Sequence, residues 1–310
     1  MVRTFQNPIR GSLEILRWPK MRVYRGLAKS VKWYMFLLPY MLFYFIFLAV
    51  PIIWSLILSF QKGGLLAGTT FVGPKNYQVV WHDKLFITAL RNTAYYTILV
   101  VPSAMFFSLF LALLINQMQR FQNFVKVCIF LPLLSSAVPL AIVWKALFIP
   151  EREGPLNYLV GLVGIPPQNW LGSPMLVIPS IVIFEIWRGY GFWTLVFLGG
   201  LGTIPQVLYE AAEVDGASPW ESFLHITLPL LRPTFLFLAV MGVIWNFQLF
   251  DAVYMLTYGG PGNASYSIVW YVYRNAFHFE KLGYAATMGI LLLFMILILT
   301  GLQRKFIEIR

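Results

Sequence analysis

The stretch PQVLYEAAEVDGASPWESFLHITLP, residues 205–229, lies between two long apolar blocks and is where the chain turns polar. It holds Glu210, Glu213, Asp215 and Glu221, four of the twelve acidic residues, and such a concentration asks for a basic partner. The local chemistry reads as helix, break, helix. Pro205 suits a first-turn position, VLYEAAEV is a good helix former, Gly216 can take a positive φ, and Ser218-Pro219 restarts a helix. Ala211 and Ala212 give the first helix a smooth face for close packing, flanked by carboxylates. A solvated loop that only links its neighbours fits these helix signals as well.

Outward from this loop the chain is apolar. Of its 310 residues 59% are hydrophobic, 17% aromatic and 11% charged, with a mean hydropathy of +0.72; a soluble domain carries about 25% charged residues. The apolar blocks are long enough to cross a hydrocarbon core of roughly 30 Å, which excludes a soluble enzyme. An all-α polytopic membrane protein is expected, with spans at 33–60, 87–115, 124–149, 175–201, 233–258 and 282–302. Pro39, Pro51, Pro102, Pro132, Pro139 and Pro179 fall within or near these blocks, so kinked helices around an interior are expected. The first block exceeds the core of about 7–15 residues of a cleaved signal peptide and reads as a retained membrane helix.

The cations set the orientation. Arg3, Arg10, Arg17, Lys20, Arg22, Arg25, Lys29, Lys32, Arg120, Lys126, Arg232, Arg304, Lys305 and Arg310 fall on one side. Lys62, Lys75, Lys84, Arg152, Arg274 and Lys281 fall on the other. The positive-inside rule puts both termini and residues 205–229 in the cytoplasm. Three parts follow: a basic cytoplasmic tail (1–32), a six-helix membrane domain (33–305) and a short cytoplasmic tail (306–310). The first tail, with Leu13, Ile15, Leu16 and Trp18 among its cations, suits the anionic inner leaflet, and equally a solvated topogenic segment. The net charge of +11 therefore tracks membrane lipid, with no basic face interleaved with aromatics for nucleic acid. Cys128 is the only cysteine, and His82, His225 and His278 have no metal-site spacing, so neither a disulfide nor a metal site is expected.

Glu210-Ala211-Ala212, three residues, Gly216, nine residues, Ile226, one residue and Leu228-Pro229 match in full the EAA-x3-G-x9-I-x-LP loop of membrane subunits of ATP-binding-cassette importers. The chain resembles that family over roughly residues 33–305, which implies the type I importer permease fold. The segment from Phe250 to Pro261, FDAVYMLTYGGP, resembles the LT-x-GGP segment of carbohydrate importers of the maltose and glycerol-phosphate type. Gly154-Pro155-Leu156-Asn157 and Asn169-Trp170-Leu171 are similar to the same group. The basic tail with the GGP segment resembles the F rather than the G subunit of the maltose type, although two N-terminal spans and a large outer insertion of that subunit are missing here. The resemblance implies that Glu210, Ala211, Ala212, Asp215 and Gly216 couple to the ATPase, Glu210 pairing with a base and Gly216 making the bend. It implies a second homologous permease subunit, two ATP-binding-cassette ATPase subunits that bind ATP and Mg, and an extracytoplasmic solute-binding protein, in the inner membrane of a prokaryote. No G-x4-GK-[ST] phosphate loop occurs, so no cofactor is expected in this chain and the ATP chemistry must be a partner's.

Charges inside a membrane are costly and face an interior or a partner. Glu185 and Arg188, three apart, share a helix face and can pair; Asp251 lies nearer the outer end of span five and could reach an outer partner. Around them run WRGYGFW (187–193) and WNFQL (245–249). Flat aromatic surfaces with a few hydrogen-bonding groups suit the apolar faces and hydroxyls of sugars, though aromatics also serve plain packing. The resemblance places sugar contacts at Arg188, Gly189, Phe192, Trp245, Asn246 and Leu249. Arg188 departs from the apolar residue expected there, which points either to an anionic substrate or to compensation of Glu185. A permease for polyamines or amino acids shares the coupling loop and is the alternative. An intramembrane enzyme using Glu185 and Asp251 is remote, because no nucleophile or metal cluster accompanies them.

Overall fold

The computed structural model describes residues 34–64 and 68–308, with side chains through residue 305. The tail 1–32 and residues 309–310 lie outside the described residues. The chain divides into a unit that ends at Trp54 and a unit from Ser55 onward. Helix α1 (Tyr34–Ser59) makes up the described part of the first unit as far as Trp54. There Phe43, Phe47 and Trp54 are exposed among apolar neighbours on every side, a surface suited to lipid and not to water.

In the second unit strands β1 (Gln61–Gly64) and β2 (Gly68–Phe71) pair antiparallel with Gln61 opposite Phe71, a small hairpin in an otherwise helical chain. The helices are α2 (Lys75–His82), α3 (Lys84–Asn116), α4 (Gln122–Leu134), α5 (Ala137–Leu147), α6 (Pro155–Gly161) and α7 (Val177–Gly202). After them come α8 (Gln206–Val214), α9 (Pro219–Leu230), α10 (Arg232–Phe247), the wide turn α11 (Val253–Thr257), α12 (Ile268–Tyr273) and α13 (Leu282–Glu308).

Three expected spans are corrected. Residues 124–149 form two helices, α4 and α5, bent by 95°. A continuous helix would set the Pro139 ring against the carbonyl of Ser135 and leave that carbonyl without its donor. Instead Ser135 and Ser136 are extended, and Pro139 sits in the first turn of α5, where its missing N–H costs nothing. The span expected at 233–258 ends at Phe247 and resumes beyond a break, and α13 continues to Glu308 because no breaker interrupts it. Four unbroken membrane-length helices and two bent pairs result, among the described residues.

In lipid, close approach of backbones matters more than the hydrophobic effect for helix association. A Cβ on Gly191 of α7 would fall on the carbonyl of Ile129 in α4, so glycine lets the two helices touch there. Phe86 and Tyr96 of α3 and Phe184 and Phe197 of α7 fill the interior between them. Asp83 caps α3: its Oδ1 accepts from the amides of Leu85 (2.8 Å) and Phe86 (3.4 Å). Its Oδ2 accepts from the hydroxyls of Tyr271 and Tyr284, both at 2.6 Å, which ties the α2–α3 corner to α12 and α13. Burial alone would raise the Asp83 carboxyl, but the bonds from Tyr271, Tyr284 and the two amides outweigh it and hold it below its ordinary value.

Candidate functional site

The break after α10 makes the site. Gln248 and Leu249 close the helix with bonds back to Trp245 and Asn246, and residues 249–250 are not helical. Irregular backbone at membrane depth is tolerated only where protein satisfies it or water reaches it. Ser267 meets that need by donating its hydroxyl to the Leu249 carbonyl at 2.6 Å while capping α12 through the Trp270 amide. Thr93 of α3 receives the Ile268 amide at 3.1 Å.

A cavity of about 550 Å³ opens at this break between α3, α4, α7 and α10. All six expected sugar contacts, Arg188, Gly189, Phe192, Trp245, Asn246 and Leu249, line it together with Glu185 and Asp251. The rings of Phe192 and Trp245 meet edge to face with centroids 5.2 Å apart, and Trp245 is 44% exposed, an open apolar plate. Asn246 donates one N–H of Nδ2 to the Gly242 carbonyl at 2.7 Å, which leaves its side-chain oxygen and its second N–H for a ligand. Arg188 donates Nε (3.2 Å) and a terminal nitrogen (2.8 Å) to Glu185 Oε2. The pair is partly buried, with Glu185 11% and Arg188 26% exposed. Of the two readings of Arg188, the geometry favours compensation. Asp251, which the sequence left able to reach an outer partner, lines this cavity, and its carboxylate makes no hydrogen bond or ion pair among the described residues.

Tyr96 and Gln248 also line the cavity, outside the six expected contacts. Tyr96 lies on α3, far along the chain from both aromatic stretches, and no local pattern marks it. Gln248 stood inside the quoted WNFQL stretch, and its polarity at span depth was the available signal.

The loop 205–229 is built as a braced elbow. Ala217 donates its amide to the Ala212 carbonyl (2.9 Å) and Gly216 to that of Glu213 (3.1 Å), the paired bonds of a Schellman cap, with Gly216 at φ +80°. Two residues on, Ser218 and Glu221 form a capping box that starts α9. The Ser218 amide and then its hydroxyl hold the Glu221 carboxyl below its ordinary value. The Tyr209 and Thr227 hydroxyls, 2.8 Å apart, brace α8 against α9. Glu210, Ala211, Asp215 and Gly216 are exposed and Ala212 half-buried; Val214 and Trp220 stand 87% and 65% exposed beside them. Those apolar surfaces suit a covered face better than a solvated linker.

Buried Asn157 of α6 holds the segment 149–170 together. It donates to the carbonyls of Ile149, Pro150, Glu151 and Gln168 and accepts from the Gln168 amide and the Trp170 indole, both at 2.9 Å. Thr257 organises the GGP turn through the Ser265 hydroxyl (2.7 Å) and the Gly259 amide (3.3 Å).

Residues 104–307 match the family described as the binding-protein-dependent transport system inner membrane component. The arabinooligosaccharide transport system permease AraP of Bacillus subtilis is 34% identical over 284 residues, 90% of this chain and 89% of the relative. The lactose transport system permease LacF of Rhizobium radiobacter is 33% identical over 281 residues, 88% of this chain and 93% of the relative. A crystal structure of a bacterial alginate ABC transporter, in complex with an alginate pentasaccharide-bound periplasmic protein, has a chain of the same fold. Its TM-score is 0.79 at 24% identity, covering 91% of this chain and 96% of that one.

Proposed function

We propose that this chain, which belongs to the family of binding-protein-dependent transport system inner membrane components, forms one half of a membrane pathway for a carbohydrate. The relatives named above are permeases for arabinooligosaccharides and lactose, which supports the substrate class. The carrying observation is the cavity, in which Trp245 and Phe192 offer flat apolar surface beside Asn246, Glu185 and Asp251. A second homologous permease subunit completes the channel, and an external binding protein delivers the solute at the outer loops. Two ATP-binding-cassette subunits hold ATP and Mg and dock on residues 205–229, with both termini on that cytoplasmic side.

The chain can pass motion from loop to cavity. The elbow at Gly216 joins α8 to α9, and α9 meets α10 at a 60° bend. The helix α10 in turn carries Trp245 and Asn246. Displacement of α8 by a closing ATPase pair therefore moves the sugar contacts through three helices joined at this elbow and this bend, which is a direct route to alternating access. Reconstitution of the four membrane and ATPase subunits in liposomes tests this. Sugar-loaded binding protein should stimulate ATP hydrolysis and uptake; stimulation by an amino acid or polyamine, with none by any sugar, would refute the carbohydrate reading.

A further inference from the structure

The cavity's polar groups are unevenly satisfied. Tyr96 is 2% exposed and lines the cavity, yet its hydroxyl has no hydrogen-bond partner, and neither does Glu185 Oε1. Buried groups of this kind are rarely left unmade, and here they lie just behind the cavity surface. Arg188 is turned onto Glu185 Oε2, and the Asn246 amide nitrogen onto the Gly242 carbonyl. What the lining turns to a ligand is led by acceptors, the free carboxylate of Asp251 and the Asn246 oxygen, with the second Asn246 N–H beside them. Two carboxylates against one guanidinium leave the described lining with a charge of −1. In a cleft walled by Trp245, Phe192 and Leu249 the low-dielectric walls focus that charge.

We propose that Asp251, with Glu185 and Tyr96, makes this cavity a charge filter that admits solutes presenting hydroxyl donors and rejects saccharides carrying carboxylate, sulfate or sulfonate groups. The ligand class rests on the carbohydrate reading above, whereas the field belongs to the chain whatever the solute. Arg188 does not reverse the sign, because Glu185 already holds it.

The field can be read without knowing the sugar. In the purified complex with its partner subunits, Cys128→Ser removes the native thiol of this chain, every partner thiol is replaced by serine, and Leu133→Cys places one thiol on the cavity wall. The rates of its modification by a trimethylammonium-ethyl and a sulfonato-ethyl methanethiosulfonate are compared and normalised to 2-mercaptoethanol. The cationic reagent should be favoured by about tenfold or more, the focusing expected of a one-sign cleft. Asp251→Asn should bring that ratio most of the way to one, and Asp251→Glu should preserve it. A normalised ratio at or below one, or a ratio indifferent to Asp251→Asn, overturns the filter. If Asp251→Asn does not assemble, the parent complex decides: raising salt from about 0.01 M to 1 M shortens the screening length from roughly 30 Å to 3 Å and must lower the ratio. A salt-independent preference overturns the proposal too. Sugar uptake is measured separately, so that its loss with the ratio intact removes the carbohydrate reading alone.

Discussion

Gly216 allows a clean test of the elbow, because conformation and bulk separate there. Its φ is +80°, and a Cβ built on it meets nothing within 4 Å. Substitution therefore costs only what an L side chain costs in the left-handed region, about 1–2 kcal/mol, least for asparagine and most for a β-branched residue. Relaxing that strain means giving up the Ala217–Ala212 and Gly216–Glu213 bonds and swinging the Ser218–Glu221 box, and with it α9, away from α8. A cost of about 1–2 kcal/mol lowers the population of the bent loop by roughly 5- to 30-fold, and docking of the ATPase pair should weaken by the same factor. Gly216→Asn, Gly216→Ala and Gly216→Val are compared in the reconstituted complex for ATPase docking, for ATP hydrolysis stimulated by the binding protein, and for uptake. Expected is a graded loss in that order, with membrane insertion unchanged. Wild-type coupling in Gly216→Val would refute the positive-φ elbow. Equal loss in Gly216→Asn and Gly216→Val would show that bulk against the partner, not backbone strain, is what the site forbids.

The remaining predictions concern the cavity and the α2–α3 corner. Asn246→Ala and Trp245→Ala should lower uptake several-fold while assembly and binding-protein-stimulated ATP hydrolysis persist, since both residues lie at the far end of α10 from the elbow; wild-type uptake by the double variant would remove them from the path. Arg188→Leu leaves Glu185 as a buried charge without its partner, a loss of about 3–5 kcal/mol, so the complex should be recovered poorly; adding Glu185→Leu should restore it, as size-exclusion yield would record. Asp83→Asn should lower thermal stability by about 1 kcal/mol at neutral pH through the weakened cap and tyrosine bonds. The Asp83 carboxyl lies below its ordinary value when folded, so its stabilisation is complete above about pH 4 and is lost as pH falls toward the folded value. Melts of wild type against Asp83→Asn should therefore converge as pH falls below about 4, and a gap that stays constant on acidification would contradict the assignment.

Much of this was legible in the order of residues. Hydrophobic blocks set the membrane class because a helix in lipid must satisfy its own backbone and present apolar side chains over a fixed length. The elbow was legible too: glycine, then Ser-Pro with Glu221 two places on, is local chemistry, and its bonds close within six residues. The pairing of Glu185 with Arg188 follows from one helix turn. What the sequence could not decide were the breaks. Pro102 stays inside the continuous α3, whereas the chain bends by 95° ahead of Pro139. The stretch 248–250 unwinds where no proline stands, and Ser267, from another segment, donates its hydroxyl to the freed Leu249 carbonyl. Whether a helix continues or opens depends on partners that arrive from elsewhere in the chain. The same holds for the site. Asp251 joined Glu185, and Tyr96 joined both, only when α3, α7 and α10 packed around one cavity. Periodicity fixes which residues share a helix face, while packing between helices fixes which faces meet, and the charge of the cavity is a property of the second.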